Sequence, residues 1–312
     1  MRRLPRRPRR DAVGSEPDAI AVARPAEGVA ARGLLQRIVI FVAFVAVLFL
    51  LWEGAKFIGG DPWRYFGWEW RPPLDIWFAS DLLLPHVWDI VAALAAPVQR
   101  NQESSLAQHL IVVGLYTWRE AAIGFVAGAV LGVALAAAFV HSSLLERAFV
   151  PYVVASQTIP IVALAPMIVF AFGRSVTSVV IIATYLTFFP VTIAMIRGLR
   201  SPDPRALELM RSYAASRWSV FWKLRLPSSL PYLFTALKIS ATASIVGAII
   251  GEGPGGIPNG LGRAIINFYQ QYITGPEKLW AAVFASALLG IAFFGVVRLG
   301  EFLVLRGRQQ AA

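Results

Sequence analysis

The sequence has no cysteine, so disulfides and thiolate metal sites are excluded. It has only three histidines. These are His86, His109 and His141, and they lack the convergent spacing that a metal site needs. Interfacial or loop positions are expected for them, and no metal site is expected. Charge is scarce too: 15% of the residues are Asp, Glu, Lys or Arg, against about 25% in soluble domains. Lys56, Lys223, Lys238 and Lys278 are the lysines, and none follows a glycine in a GK[ST] pattern. The chain therefore has no phosphate-cradling loop of that kind, and it does not read as an ATP-binding enzyme. No His/Asp/Glu cluster and no facing Ser–His pair suggests an intramembrane enzyme, so no catalytic residue is assigned.

What the sequence does have is apolar length. Hydrophobic residues make up 57% of the 312, and the mean hydropathy is +0.62. This composition predicts an all-α polytopic membrane protein with about six transmembrane helices. The net charge of +11 superficially suits nucleic acid. Its arginines, however, gather at span ends and loops, as membrane orientation requires.

Residues 1–33 begin MRRLPRRPRR and form no apolar face, so a disordered basic tail is expected, with possible contacts to anionic lipid. It does not read as a cleavable signal peptide. Residues 34–52 are a first span. Residues 53–105 hold Trp63, Trp68, Trp70, Trp77 and Trp88 with several prolines. They read as an extracytoplasmic loop on the membrane surface, with a short helix near 86–96. A transmembrane core then runs over 106–306, with a short tail at 307–312. Its spans are expected near 106–140, 149–172, 176–196, 230–250 and 279–303.

Gly124, Gly128 and Gly132 recur at intervals of four, a ridge that lets helix backbones approach closely. Packing within one subunit is the favoured reading, and a dimer seam is the alternative. Pro160 and Pro166 break the span at 149–172, and such breaks often face a cavity. Gln157, Thr158 and Pro160 are therefore candidates for a substrate path. Ser240, Thr242 and Ser244 are further candidates, against the plainer reading of bonds to their own helix backbone. Glu252 stands at the expected outer mouth, either to meet a partner or to cap a helix. Lys238 is expected to snorkel towards an interface.

Lysine and arginine also orient the chain. They are dense in the N-terminal stretch, and residues 197–227 alone hold Arg197, Arg200, Arg205, Arg211, Arg217, Lys223 and Arg225. The positive-inside rule puts both termini, and this loop, in the cytoplasm. Within the loop, Asp203 before Pro204 signals a helix start. Ala214-Ala215-Ser216 reads as a break, Ser216 as the cap of a second short helix, and Pro227 and Pro231 as its end.

Glu208, Arg211, the small residues Ala214-Ala215-Ser216, Leu224 and Leu226-Pro227 together resemble the EAA loop of bacterial ABC-importer permeases. The motif's usual glycine is Ala214 here, and the alanines that follow the glutamate are Leu209 and Met210. Leu84-Pro85-His86-Val87-Trp88 resembles the nitrate, sulfonate, taurine and bicarbonate branch. So do Gln157-Thr158-Ile159-Pro160, Ala165-Pro166 and Phe172-Gly173. The loop GEGPGGIPNGLG, ending at Gly260-Leu261-Gly262, is more similar to permeases for pyrimidine vitamin precursors and riboflavin. The resemblance covers about residues 82–306. It implies a type I importer fold, usually a permease dimer, with an inner-membrane location. It also implies a cytoplasmic ATPase that supplies ATP and Mg, and an extracytoplasmic solute-binding protein. The coupling helix would then use Asp203, Glu208, Arg211, Ala214, Ala215, Ser216 and Arg217. A secondary transporter or channel independent of ATP is the competing reading; it needs intramembrane charges for coupling.

Overall fold

The computed structural model describes residues 27–65, 68–99, 103–253 and 257–309. Two units divide the chain, 1–55 and 56–312. Most of the expected tail lies outside the described residues. Helix α1 (Glu27–Gly59) nevertheless starts inside the stretch read as tail and runs past the expected end of the first span. Within the first unit its side chains from Ile38 to Leu51 are broadly exposed, with Phe41 at 66% and Leu50 at 65%. Such a surface belongs in lipid.

The segment read as a surface loop contains a short strand pair. Strands β1 (Trp63–Tyr65) and β2 (Trp68–Trp70) pair antiparallel, with Trp63 opposite Trp70. Trp70 stacks on Phe57 with centroids 4.7 Å apart. Lys56 is fully buried and ties the following segment down. Its Nζ donates to the Leu84 carbonyl at 2.7 Å and to Asp81 Oδ1 at 2.5 Å. Helix α2 (Val87–Ala95) follows, close to where the short helix was expected.

The remaining helices are α3 (Leu106–His141), α4 (Ser143–Ser156), α5 (Ile161–Phe172) and α6 (Val176–Leu199). After them come α7 (Pro204–Ser212), α8 (Arg217–Val220), α9 (Leu226–Glu252), α10 (Leu261–Gln270) and α11 (Pro276–Gln309). Five described helices are long and apolar enough to cross a membrane, and the α4–α5 pair makes a sixth span if counted as one. That pair bends by 100° between Ser156 and Ile161. The break falls at Pro160, while Pro166 lies inside α5 without ending it. Tyr185 of α6 braces the elbow by donating its hydroxyl to the Ser156 carbonyl.

Helix α3 starts with a capping box. Ser105 Oγ accepts from Gln108 N, and Gln108 Oε1 accepts from Ser105 N. The glycine ridge of α3 packs within the chain, onto α6. A Cβ on Gly128 would lie 2.5 Å from Thr187 Cβ and 2.8 Å from the Thr184 carbonyl; one on Gly132 would lie 2.8 Å from the Phe188 carbonyl. Thr184 Oγ1 also donates across the seam to the Gly124 carbonyl at 3.2 Å. On the other side of α6, a Cβ on Gly247 or Gly251 of α9 would fall 3.1 Å from Ala183 Cα or 3.2 Å from Val179 Cα. Helix α6 is thus the centre of the bundle, with a glycine face against each flank.

One boundary differs from the sequence expectation. The second short helix does not end at Pro227. Residues Phe221–Arg225 form a π turn, and the helix runs unbroken from Arg217 to Glu252. The reason is steric. Pro227 offers no N–H and would crowd the carbonyl four residues back in an α-turn. Widening the turn relieves that clash, and Leu226 N bonds instead to the Phe221 carbonyl, five residues back.

The glycine contacts give the first prediction. Gly128→Val forces a branched side chain into Thr187 and should cost at least about 1–3 kcal/mol. Gly290→Ala, where an added Cβ meets nothing within 4 Å, should be neutral. Yield of folded protein in membranes and thermal melting in detergent compare the two; equal behaviour would refute the close α3–α6 seam.

Candidate functional site: a capped turn at one end of the bundle and a buried carboxylate at the other

The end of the bundle that carries α7 and α8 is built by local capping. Asp203 Oδ1 accepts from Arg205 N at 2.8 Å, and Pro204 takes the first turn, where its missing N–H costs nothing. Helix α7 then stops in a Schellman motif. Ala215 N donates to the Met210 carbonyl at 3.0 Å and Ala214 N to the Arg211 carbonyl at 2.9 Å. Ala214 has φ 51°, and it is the only non-glycine among the described residues with positive φ. This is the position where the resemblance expects glycine, so the left-handed turn survives its replacement by alanine. Holding it there costs roughly 1–2 kcal/mol. Ser216 restarts the chain as the cap of α8, accepting from Ser219 N at 3.2 Å.

Glu208 and Arg211 of α7 and Arg217 of α8 are exposed. Glu208 makes no hydrogen bond or ion pair among the described residues. Tyr213, Trp218 and Trp222 project beside them, 77%, 66% and 60% exposed. Sequence reasoning located Glu208, Arg211 and Arg217; it did not reveal the handedness at Ala214. Behind them Arg200, the C-cap of α6, pairs with Glu146 of α4.

The expected path residues do not converge on one cavity. Gln157 caps the C-terminus of α4, with its Nε2 buried and unpartnered. Thr158 returns its hydroxyl to the Ala155 carbonyl, and Pro160 sits at the exposed elbow. Ser240 and Ser244 are fully buried. Ser240 bonds to the Thr187 carbonyl of α6, Ser244 to Ala241 and Thr242 to Ile239. Ser244 and Thr242 thus take the plainer backbone-bonding role. A cavity of about 510 Å³ does lie between α6 and α9, but it is lined by Pro190, Ile193, Arg197, Tyr232 and Ile239, among others. No expected path residue lines it.

Glu252 is completely buried, not at an open mouth. Of its two expected roles it takes the cap. Its Oε2 accepts from Gly262 N at 2.7 Å and from Thr117 Oγ1 at 2.9 Å. Thr117 Oγ1 in turn accepts from Leu261 N at 2.8 Å. The first two amides of α10 are therefore held by α9 and α3, and the carboxylate sits where the helix dipole favours it. Gly260 has φ 103°, and a Cβ there would run into the Glu252 carboxyl group. Only glycine suits that position.

Glu120 belongs to this node as well. It lies well inside α3, 4% exposed, with its carboxyl group against that of Glu252. Glu120 Oε2 and Glu252 Oε1 are both buried without a bonded partner. Lys238, expected to snorkel, instead pairs with Glu301 of α11 at 2.8 Å. Thr117 and Glu301, which partner Glu252 and Lys238, lie more than sixty residues away in sequence, so this pairing has no local signature.

Residues 128–304 match the family described as binding-protein-dependent transport system inner membrane component. The chain belongs to that family of permeases. A formylaminopyrimidine transport permease from Halalkalibacterium halodurans is 34% identical over 238 residues, 73% of this chain and 94% of its own length. A riboflavin transport system permease from Chloroflexus aurantiacus is 33% identical, over 53% of this chain and 61% of its own. A putative aliphatic sulfonates transport permease from Bacillus subtilis is 28% identical, over 60% of this chain and 67% of its own. The permease is thus a membrane-embedded subunit of the ABC-importer type, in the branch that its loop sequences resembled.

The Glu252 node yields the second prediction. Glu252→Ala leaves the Gly262 amide unsatisfied and should cost about 1–3 kcal/mol, with α10 fraying first. Glu252→Gln keeps the accepted bonds, and its amide N–H₂ gives the Glu120 carboxylate a donor. Hydrogen exchange across Leu261–Gln270 should therefore be fast in the alanine variant and close to wild type in the glutamine variant. Equal exchange in all three would remove the capping role.

Proposed function

We propose that this permease forms the translocation path of an ATP-driven importer, and that the α7–α8 turn is the surface an ATPase subunit grips. The observation that carries the proposal is Ala214 in the left-handed region. A costly turn is kept, on an exposed segment, where it presents Glu208, Arg211 and Arg217 on two capped helices. A linker floating on headgroups has no use for a fixed, strained geometry. ATP and Mg would be bound by the ATPase, and the solute would arrive from a binding protein on the opposite face. The loop lies in the cytoplasm, as do both termini. Transport then proceeds by alternating access, driven by contacts that differ between the ATP-bound and ATP-free states.

The solute is proposed to be a pyrimidine-type vitamin precursor or a flavin, ahead of a sulfonate or nitrate. Support comes from the 94% coverage of the formylaminopyrimidine permease and from the loop ending at Gly260-Leu261-Gly262. Two copies of the permease are expected in the assembly. Gln157 at the α4–α5 elbow remains a path candidate, because its buried amide nitrogen has no partner. The reading of a transporter independent of ATP draws on Glu120, Glu252 and Lys238, which lie inside the spans. Capping and ion pairing already occupy Glu252 and Lys238, which favours the ABC reading.

The turn provides the test. Ala214→Gly relieves strain of about 1 kcal/mol, partly offset by glycine's freedom in the unfolded chain. It should leave ATPase association and ATP-dependent uptake intact. Ala214→Val, β-branched at positive φ, and Glu208→Ala should each uncouple ATP hydrolysis from uptake without lowering the amount of folded permease. Normal uptake in both, or uptake by the purified permease without ATPase and ATP, would overturn the proposal.

A further inference from the structure

The inner side of the α7–α8 turn encloses a cavity of about 530 Å³, and its lining is basic. His141 comes from the end of α3 and Ser143 from the start of α4. Arg211 and Ala215 come from α7 and its turn, Arg217 from α8, and Arg225 from the π turn. No Asp or Glu lines this cavity. Among the described residues, Arg211, Arg217 and Arg225 make no salt bridge; the nearby carboxylate of Glu146 is taken by Arg200. Arg225 is moreover close enough to Arg200 and Arg211 to be repelled by both. Three guanidinium groups around one unfilled space, two of them repelling each other, are an arrangement that an anion stabilises.

The surroundings say which anion. Trp218 and Trp222 stand exposed at this end of the bundle, as side chains at the headgroup level of a bilayer do. Next to Ser143, α4 shows Leu144, 77% exposed, and Phe149, 52% exposed, a surface for acyl chains. Basic pockets between membrane helices suit acidic headgroups, and arginine's planar fork matches phosphate oxygens. The geometry points to a binding site for the phosphate group of an anionic phospholipid, held by Arg211, Arg217 and Arg225 beneath the α7–α8 turn. A filled site would fix the turn from below while leaving Glu208, which does not line the cavity, free on its outer side. The inference rests on the chain being a membrane permease and does not need the ATPase-docking role.

Native mass spectrometry of the full-length permease in mild detergent tests it, with phosphatidylglycerol and phosphatidylcholine offered in equal amounts. Wild type should retain phosphatidylglycerol in preference. The double variant Arg217→Gln, Arg225→Gln should lose that retention by about tenfold or more, since each surface arginine is worth several-fold. Arg205→Gln, an exposed arginine outside the lining, removes a charge too and should retain the lipid as wild type does. Circular dichroism checks that each variant is folded. Equal retention of the two lipids by wild type, or undiminished phosphatidylglycerol in the double variant, overturns the site. Inorganic phosphate at millimolar concentration separates the sources. Competition with bound phosphatidylglycerol supports recognition of the phosphate group. Phosphate binding to a permease that ignores phosphatidylglycerol overturns the lipid assignment. Glu208→Ala keeps the two readings apart: uncoupled ATP hydrolysis with lipid retained leaves both standing, and normal ATP-dependent uptake in that variant with lipid lost only in the arginine variant removes the docking role alone.

Discussion

Backbone contact along α6 sets the spacing of α3 and α9 in the second unit. Lipid tails are as apolar as leucine, so burial alone gives membrane helices little reason to associate; close packing has to do it. Here α6 is met by Gly124, Gly128 and Gly132 from one side and by Gly247 and Gly251 from the other. Ala183 lies against both Gly124 and Gly247, and Thr187 lies against Gly128 while accepting from Ser240. With three helices locked at this separation, little adjustment is left at their ends. The α7–α8 turn and the Glu252 node are therefore built onto a rigid frame.

Most polar groups inside that frame either join two helices or bond to their own helix backbone. Burying a charge is expensive unless it is paired or hydrogen-bonded. Lys238 and Glu301 join α9 to α11, while Glu252 and Thr117 join α9 and α3 to the start of α10. The hydroxyls of Ser244 and Thr242 satisfy their own helix. The hydroxyls of the α9 path candidates all have backbone partners, and the unpartnered amide of Gln157 stands out against that background.

Features fixed by local chemistry were legible in the sequence. Asp203 and Ser216 announce their caps because a short side-chain oxygen needs only the next turn to act. The Gly124, Gly128 and Gly132 spacing announces a close seam, and hydropathy announces the spans. Features that depend on distant partners were hidden. The burial of Glu252 is decided by Thr117 and Gly262, and that of Lys56 by Asp81 and Leu84. The tryptophan hairpin was missed because three-residue strands are too short to show a period. Pro227 was read as a stop because the widened turn that accommodates it has no sequence signature of its own.

The π turn at Phe221–Arg225 has a mechanical consequence. It makes Arg217–Glu252 a single strut of 36 residues, roughly 54 Å long at 1.5 Å per residue. Pro227 and Pro231 both lie in its first half, so any flexing is confined there. Beyond them the strut is uninterrupted as far as Glu252, whose carboxylate grips the first turn of α10. A displacement applied at Arg217 is passed through the bundle to the far end with no loop to absorb it. The two ends of the bundle are thereby joined by one continuous helix.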